Sequence, residues 1–184
     1  MTTTIVRTGS ALAAAGLLIG MLSACTPESK PVPKPTKTAA FSNVDLDSSS
    51  SAATAAEATY RGYLNSSNEV DLAAPETFET VFRWLSGDAL AAARKSYSAM
   101  HADGLTLTGE STFDQFGLVS HTNEEVVAEL CADVSKVILT NESGDSVIPP
   151  SRVPRQRVEV QFVRAATPSG LAITRNTVLQ EQPC

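Results

Sequence analysis

Between residues 52 and 103 the apolar positions recur every three or four residues; after residue 104 they recur every two. The first period marks helix faces and the second marks half-buried strands. Ala53, Ala56, Tyr60, Tyr63 and Leu64 line one face of a helix expected over residues 52–65, which the turn residues 65–68 then end. Pro75 suits the first turn of a second helix, whose stripe is Phe78, Val81, Phe82 and Leu85. Ser86-Gly87-Asp88 interrupts it. Asp88 is the expected N-cap of a third helix, with the stripe Leu90, Ala93, Tyr97 and Met100. Gly104 is placed to stop that helix as the left-handed residue after its end.

The period-two segments follow. Leu105 and Leu107 alternate with threonines, and Phe113, Phe116 and Leu118 continue the strand, with Gly109 and Gly117 as bends or bulges. Val126, Ala128, Leu130, Ala132 and Val134 occupy every second position of the next strand, which puts Cys131 on the face opposite Leu130. Ser143-Gly144-Asp145 marks a turn, and Pro149, Pro150 and Pro154 delay the third strand. That strand alternates Val158, Val160 and Phe162 with Arg157, Glu159 and Gln161. Thr167-Pro168-Ser169-Gly170 turns into a last strand over residues 171–180. Helices first and then a four-stranded antiparallel meander predict an α+β domain, with three helices packed on one face of the sheet.

Ahead of this domain lies a different pattern. Arg7 precedes an apolar run over residues 11–22. That is the length of a signal-peptide core and is shorter than the roughly 20 residues of a spanning helix. Leu22-Ser23-Ala24-Cys25 closes the run and resembles the bacterial lipobox. The resemblance implies a diacylglycerol on the Cys25 thiol and cleavage that leaves Cys25 as the first mature residue. Two or more buried acyl chains hold a protein stably on a bilayer. Residues 25–51 lack apolar periodicity and carry Pro27, Pro31, Pro33, Pro35 and a serine run, the composition of a spacer. The expected organisation is a signal peptide over 1–24, a disordered membrane tether over 25–51 and a folded domain over 52–184. The expected location is the extracytoplasmic face of the cell membrane.

Composition narrows the partners. The 184 residues are 42% hydrophobic and carry a net charge of −6, which suits one globular domain and argues against nucleic acid as a partner. Of the three cysteines, Cys25 is assigned to lipid. Cys131 and Cys184 remain, an even pair in an oxidising compartment, and a disulfide between them is expected.

Tyr60-Arg61-Gly62-Tyr63, Leu85-Ser86-Gly87-Asp88-Ala89-Leu90, Asp103-Gly104-Leu105, Leu130-Cys131-Ala132-Asp133-Val134-Ser135 and the terminal cysteine form an ordered set. In that order they resemble secreted actinobacterial lipoproteins with a nuclear-transport-factor-2-like (cystatin-like) domain. The resemblance covers residues 52–184. It implies a curved sheet wrapped around helices, with a pocket between them, and a sheet that often pairs into a homodimer. It hosts enzymes and ligand binders alike, so function must be argued from the site.

The reactive residues are sparse. There is no phosphate loop, nucleophile elbow or metal-ligand spacing, and no cofactor or metal is expected. His101 and His121 stand twenty residues apart and read as solvated. Tyr60, Tyr63, Trp84 and Tyr97 are the candidate pocket residues. Arg155 and Arg157 share a strand face that an anion or acidic partner could meet. The expected function is a non-catalytic lipoprotein binding a small ligand or another envelope protein. The alternative is a small pocket enzyme of isomerase or dehydratase type. It would use Asp114 or Asp133 as base, with Tyr60, Tyr63 or Tyr97 stabilising an intermediate.

Overall fold

The computed structural model describes residues 44–180 and residue 184. The signal peptide, Cys25 and the tether up to residue 43 lie outside the described residues.

The folded domain begins earlier than the hydrophobic pattern implies. Helix α1 spans Ser49–Asn68, with Ser48 as its N-cap accepting a hydrogen bond from the Ser51 N–H. The serine run assigned to the tether is therefore a cap and a first turn, because serine oxygens satisfy the free N–H groups of a helix start. Leu46, just ahead of it, is fully buried. Two side chains pin this segment to one end of the sheet. His121 meets the Leu46 carbonyl through Nδ1 and the Ser49 hydroxyl through Nε2, and Arg164 donates to the Val44 carbonyl. His121 is thus a clamp rather than the solvated residue expected, and the segment from Leu46 to Ser51 packs with the domain.

A 3₁₀ turn at Pro75–Thr77 leads into a short α2, Phe78–Phe82. Helix α3 spans Gly87–Ala102. Ser86, not Asp88, occupies its N-cap position without a side-chain cap bond, and Asp88 falls in the first turn. There its charge still favours the helix N-terminus. Gly104 ends α3 at φ +62°. The Gly104 and Leu105 N–H groups return to the His101 and Met100 carbonyls, the paired bonds of a Schellman motif.

The strand region holds two sheets. Strands β2 (Thr112–His121), β3 (Glu125–Asp133), β5 (Arg155–Arg164) and β6 (Leu171–Val178) form the antiparallel meander in the order β2-β3-β5-β6. The expected first strand divides. Its front part, β1 (Thr106–Thr108), pairs instead with β4 (Ile138–Thr140) in a separate two-stranded sheet. A bulge between Asp114 and Gly117 bends β2, and its left-handed residue is Gln115 at φ +50°. The extra residue keeps Phe113, Phe116 and Leu118 on the helix side despite their uneven spacing.

The core lies between α1 and the concave sheet face. Ala52, Ala56 and Tyr60 meet Val126, Ala128, Leu130, Val160, Phe162 and Ile173, all buried. The link between α2 and α3 covers the edge of β6, where the Ser86 N–H donates to the Ile173 carbonyl and Ile173 N–H to the Trp84 carbonyl. Such cover protects an edge strand from foreign pairing. The Trp84 ring packs against Gly62 of α1, where a Cβ would come closer to the ring than van der Waals contact allows. Gly62→Ala is therefore expected to lower stability by about 1–3 kcal/mol through overpacking, read as a lower urea midpoint. An unchanged midpoint would mean that the indole moves aside without cost.

Candidate functional site

The cavity lies at the end of the domain opposite Val44. It sits between the second half of α1 and the far ends of β3, β5 and β6, and its volume is about 360 Å³. A second lobe of about 470 Å³ runs beside α3 and shares Tyr63, Tyr97, Leu107 and Asn176 with the first. Helix α3 makes this space because it has no buried residue and shows small side chains, Ala89, Ala92 and Ala93, toward the sheet.

Three of the four candidate pocket residues come together here. Tyr60 and Tyr63 are neighbours on α1 with ring centroids 5.7 Å apart, and Tyr97 reaches in from α3. Tyr60 also packs edge-on against Phe113 at 5.0 Å, and Tyr97 stacks on Phe78 at 5.2 Å. Each ring is thus held by aromatic packing, and all three side chains line the cavity. Burial raises all three phenols above their ordinary range, with Tyr63 pushed up to about 12. The Ser67 side chain interacts with Tyr63 and Tyr97, and Asn176 with Tyr60. The phenols are therefore protonated hydrogen-bonding groups at neutral pH and are not bases.

Trp84 does not join them. Its Nε1 donates to the Ser66 hydroxyl at 3.0 Å and its ring covers Gly62, so it lines neither lobe. Nor do the two candidate carboxylates. Asp114 pairs with Cys131 in register, on the outer sheet face, and Asp133 is on that face too. Both meet Arg155, at 2.6 Å and 3.8 Å respectively. The Ser135 hydrogen bond, with help from Arg155, holds the Asp133 carboxyl below its ordinary range. His101 Nδ1 meets the Leu72 carbonyl at 2.6 Å and its ring packs on Phe78, away from both lobes. Among the described residues no cluster of three metal-ligating side chains occurs.

The outer face carries a further recess of about 700 Å³ beside Arg155, Arg157 and Cys184. Its cations are engaged: Arg155 with the two aspartates, Arg157 with Glu129 at 3.6 Å, and Arg152 with the Val134 and Val137 carbonyls. Cys131 and Cys184 form the expected disulfide on this face, with Cα atoms 5.8 Å apart.

Two cavity residues escaped the sequence pattern. Ser67 sits four positions after Tyr63, one helix turn on, so helical spacing alone could have placed it. Asn176 could not be placed that way. Phe162 pairs with Ile173, but Gln161 pairs with Arg175 and Val160 with Asn176, so one extra residue enters β6 at Thr174. The alternation reverses there, and Asn176 and Val178 face inward where Arg175 was due.

No protein-family model and no curated protein matches the chain. Solved structures do. The "putative aromatic ring hydroxylase" of Novosphingobium aromaticivorans superposes with a TM-score of 0.50 at 14% identity, over 68% of this chain and 86% of that one. The intermembrane-space region of the chloroplast protein ARC6 gives 0.49 at 19%, over 69% and 95%. A Catenulispora acidiphila protein in complex with S-DNPA gives 0.44 at 14%, over 68% and 90%. At such identities the first of these speaks for the fold alone. The α+β arrangement, three helices on a four-stranded antiparallel sheet, is compatible with the nuclear-transport-factor-2-like cone that the sequence resembles.

Proposed function

We propose that this chain is an extracytoplasmic lipoprotein, anchored through acyl groups on Cys25, whose cone binds a small ligand without transforming it. The observation that supports the binding half is the cavity itself. Three phenols converge on it, and the inner lobe has no carboxylate or imidazole beside them to act as a base. The second reading, a pocket enzyme using Asp114 or Asp133, keeps its tyrosines but loses both carboxylates to Arg155 on the opposite face. Catalysis needs the base within hydrogen-bond reach of the substrate proton.

Val44 is held near the start of α1, and the cavity is lined by the second half of that 20-residue helix.

Cys25→Ala is expected to move the exported protein from the membrane fraction to the soluble fraction. An unchanged membrane fraction overturns the anchor. The binding half fails if the soluble chain takes up no small apolar probe, charged or uncharged.

A further inference from the structure

We propose that the cavity selects an uncharged amphiphile: a ring-bearing or branched hydrocarbon body with neutral hydroxyl, amine or carbonyl groups, and no carboxylate, phosphate or ammonium in its buried part. This rests on the reading that the cavity is a ligand site, and it adds the chemical class.

The walls carry the argument. The inner lobe is lined without a single Asp, Glu, Lys, Arg or His. The nearest charges on the sheet face outward and are paired: Asp114 and Asp133 with Arg155, and Glu129 with Arg157. At the rim of the second lobe Asp88 and Arg175 stand 3.6 Å apart and offset one another. A charge brought into the interior would lose its water and meet no counter-ion, which costs several kcal/mol.

What the interior does offer is apolar surface and neutral polar groups. Leu64, Leu107, Val134, Val137 and Val158 form the apolar walls. Of the polar side chains, Asn68 is closed on Ser111, donating to its carbonyl and accepting from its N–H, both at 2.9 Å. The Gln156 amide donates to the Val153 carbonyl. The remaining neutral polar surface is a small network: the phenol of Tyr60 with Asn176, and those of Tyr63 and Tyr97 with Ser67, whose hydroxyl also donates to the Tyr63 carbonyl. A hydroxyl both donates and accepts, so it satisfies an alcohol, an amine or a carbonyl. Burial keeps the phenols protonated, which fits an interior hostile to charge. Because Tyr63 and Tyr97 line both lobes, a ligand longer than one lobe continues along the alanines of α3.

A matched pair of dyes tests this. N-phenylnaphthylamine and anilinonaphthalene sulfonate share one body, and the second adds a sulfonate. Each is titrated by fluorescence against the exported chain carrying Cys25→Ala, without detergent. The uncharged dye is expected to bind at least about tenfold more tightly, since an unpaired buried charge costs well over 1.4 kcal/mol. Ala132→Phe, which fills the inner lobe, should abolish that binding. Should this variant fail to fold, Ala93→Leu on the half-buried face of α3 should weaken it. Equal affinities, or tighter binding of the sulfonate, overturn the chemical class and leave the ligand-site reading standing. Failure of both dyes to bind overturns the ligand-site reading as well. Binding that survives both variants places the dye elsewhere and overturns both.

Discussion

Removing the disulfide, as Cys131→Ala with Cys184→Ala, is expected to lower the unfolding free energy by about 4 kcal/mol. The bridge joins residues 53 apart, and closing a loop of that length in the unfolded chain removes that much chain entropy. Domains of this size are stable by about 5–15 kcal/mol, so the loss is a large fraction of the total. Cys131 is fully buried on the central strand β3. The loss should be uneven. The bridge draws residue 184 back across β5, after Leu179 N–H has bonded to the Arg157 carbonyl. The end of β6 that carries Asn176 and Val178 is thus held from beyond, whereas Leu171 and Ile173 are held by the core. Hydrogen exchange should quicken most over residues 176–179 and least over 171–173. Chemical reduction of the wild type should reproduce the shift, and the double variant should not respond to it. A urea midpoint unchanged by the double substitution would show that the tail contributes nothing to the fold.

The same two ends of β6 show how far the sequence could be read. Strict alternation located β3 and β5, and it put Cys131 on the face opposite Leu130, which is where the bridge forms. It worked there because both strands are central and keep one register along their whole shared length. The edge strands β2 and β6 carry bulges, and each bulge shifts the period by one residue. In β2 the aromatic residues still marked the inner face. In β6 the inner residues past the bulge are Asn176 and Val178, and nothing in the local composition marks them as inward. The missed cavity residue is therefore a consequence of one inserted position.

Trp84 failed for a related reason. It was a candidate because a large aromatic residue beside an apolar stripe can line a pocket. Its partner is a glycine on another helix, and a pattern within one element cannot show a close approach between two. The tyrosines were legible because Tyr60, Tyr63 and Tyr97 lie on the stripes themselves, where the side chain must enter the space between helix and sheet. The serines at 48–51 misled because serine suits both a flexible spacer and a helix cap. Only the packed Leu46 ahead of them decides between the two.

Raising the pH should destabilise the domain from about pH 10 upward, and the tyrosine cluster should account for the excess. A phenol in the unfolded chain gives up its proton near 10.0, whereas Tyr63 in the folded domain holds it until about 12, and Tyr60 and Tyr97 are raised as well. Between those values the native state binds more protons than the unfolded state, so stability falls as pH rises. Below pH 10 both states are protonated, and the contribution is fully present and flat. Each such phenol adds a slope of up to about 1.4 kcal/mol per pH unit. Tyr63→Phe keeps the ring and removes the titrating group, so its stability should fall less steeply between pH 10 and pH 12 than the wild type's. Urea midpoints across that range measure the slope, and tyrosinate absorbance of the native protein measures the titration directly. Equal slopes, or tyrosinate appearing in the native protein at pH 10, would mean that water reaches the phenols freely. The interior would then tolerate charge, and the selection of an uncharged ligand would lose its physical basis. A delayed titration would instead mark the Tyr60, Tyr63 and Tyr97 hydroxyls as neutral groups in a dry space, able to hold a ligand's polar atoms at neutral pH without exchanging protons with it.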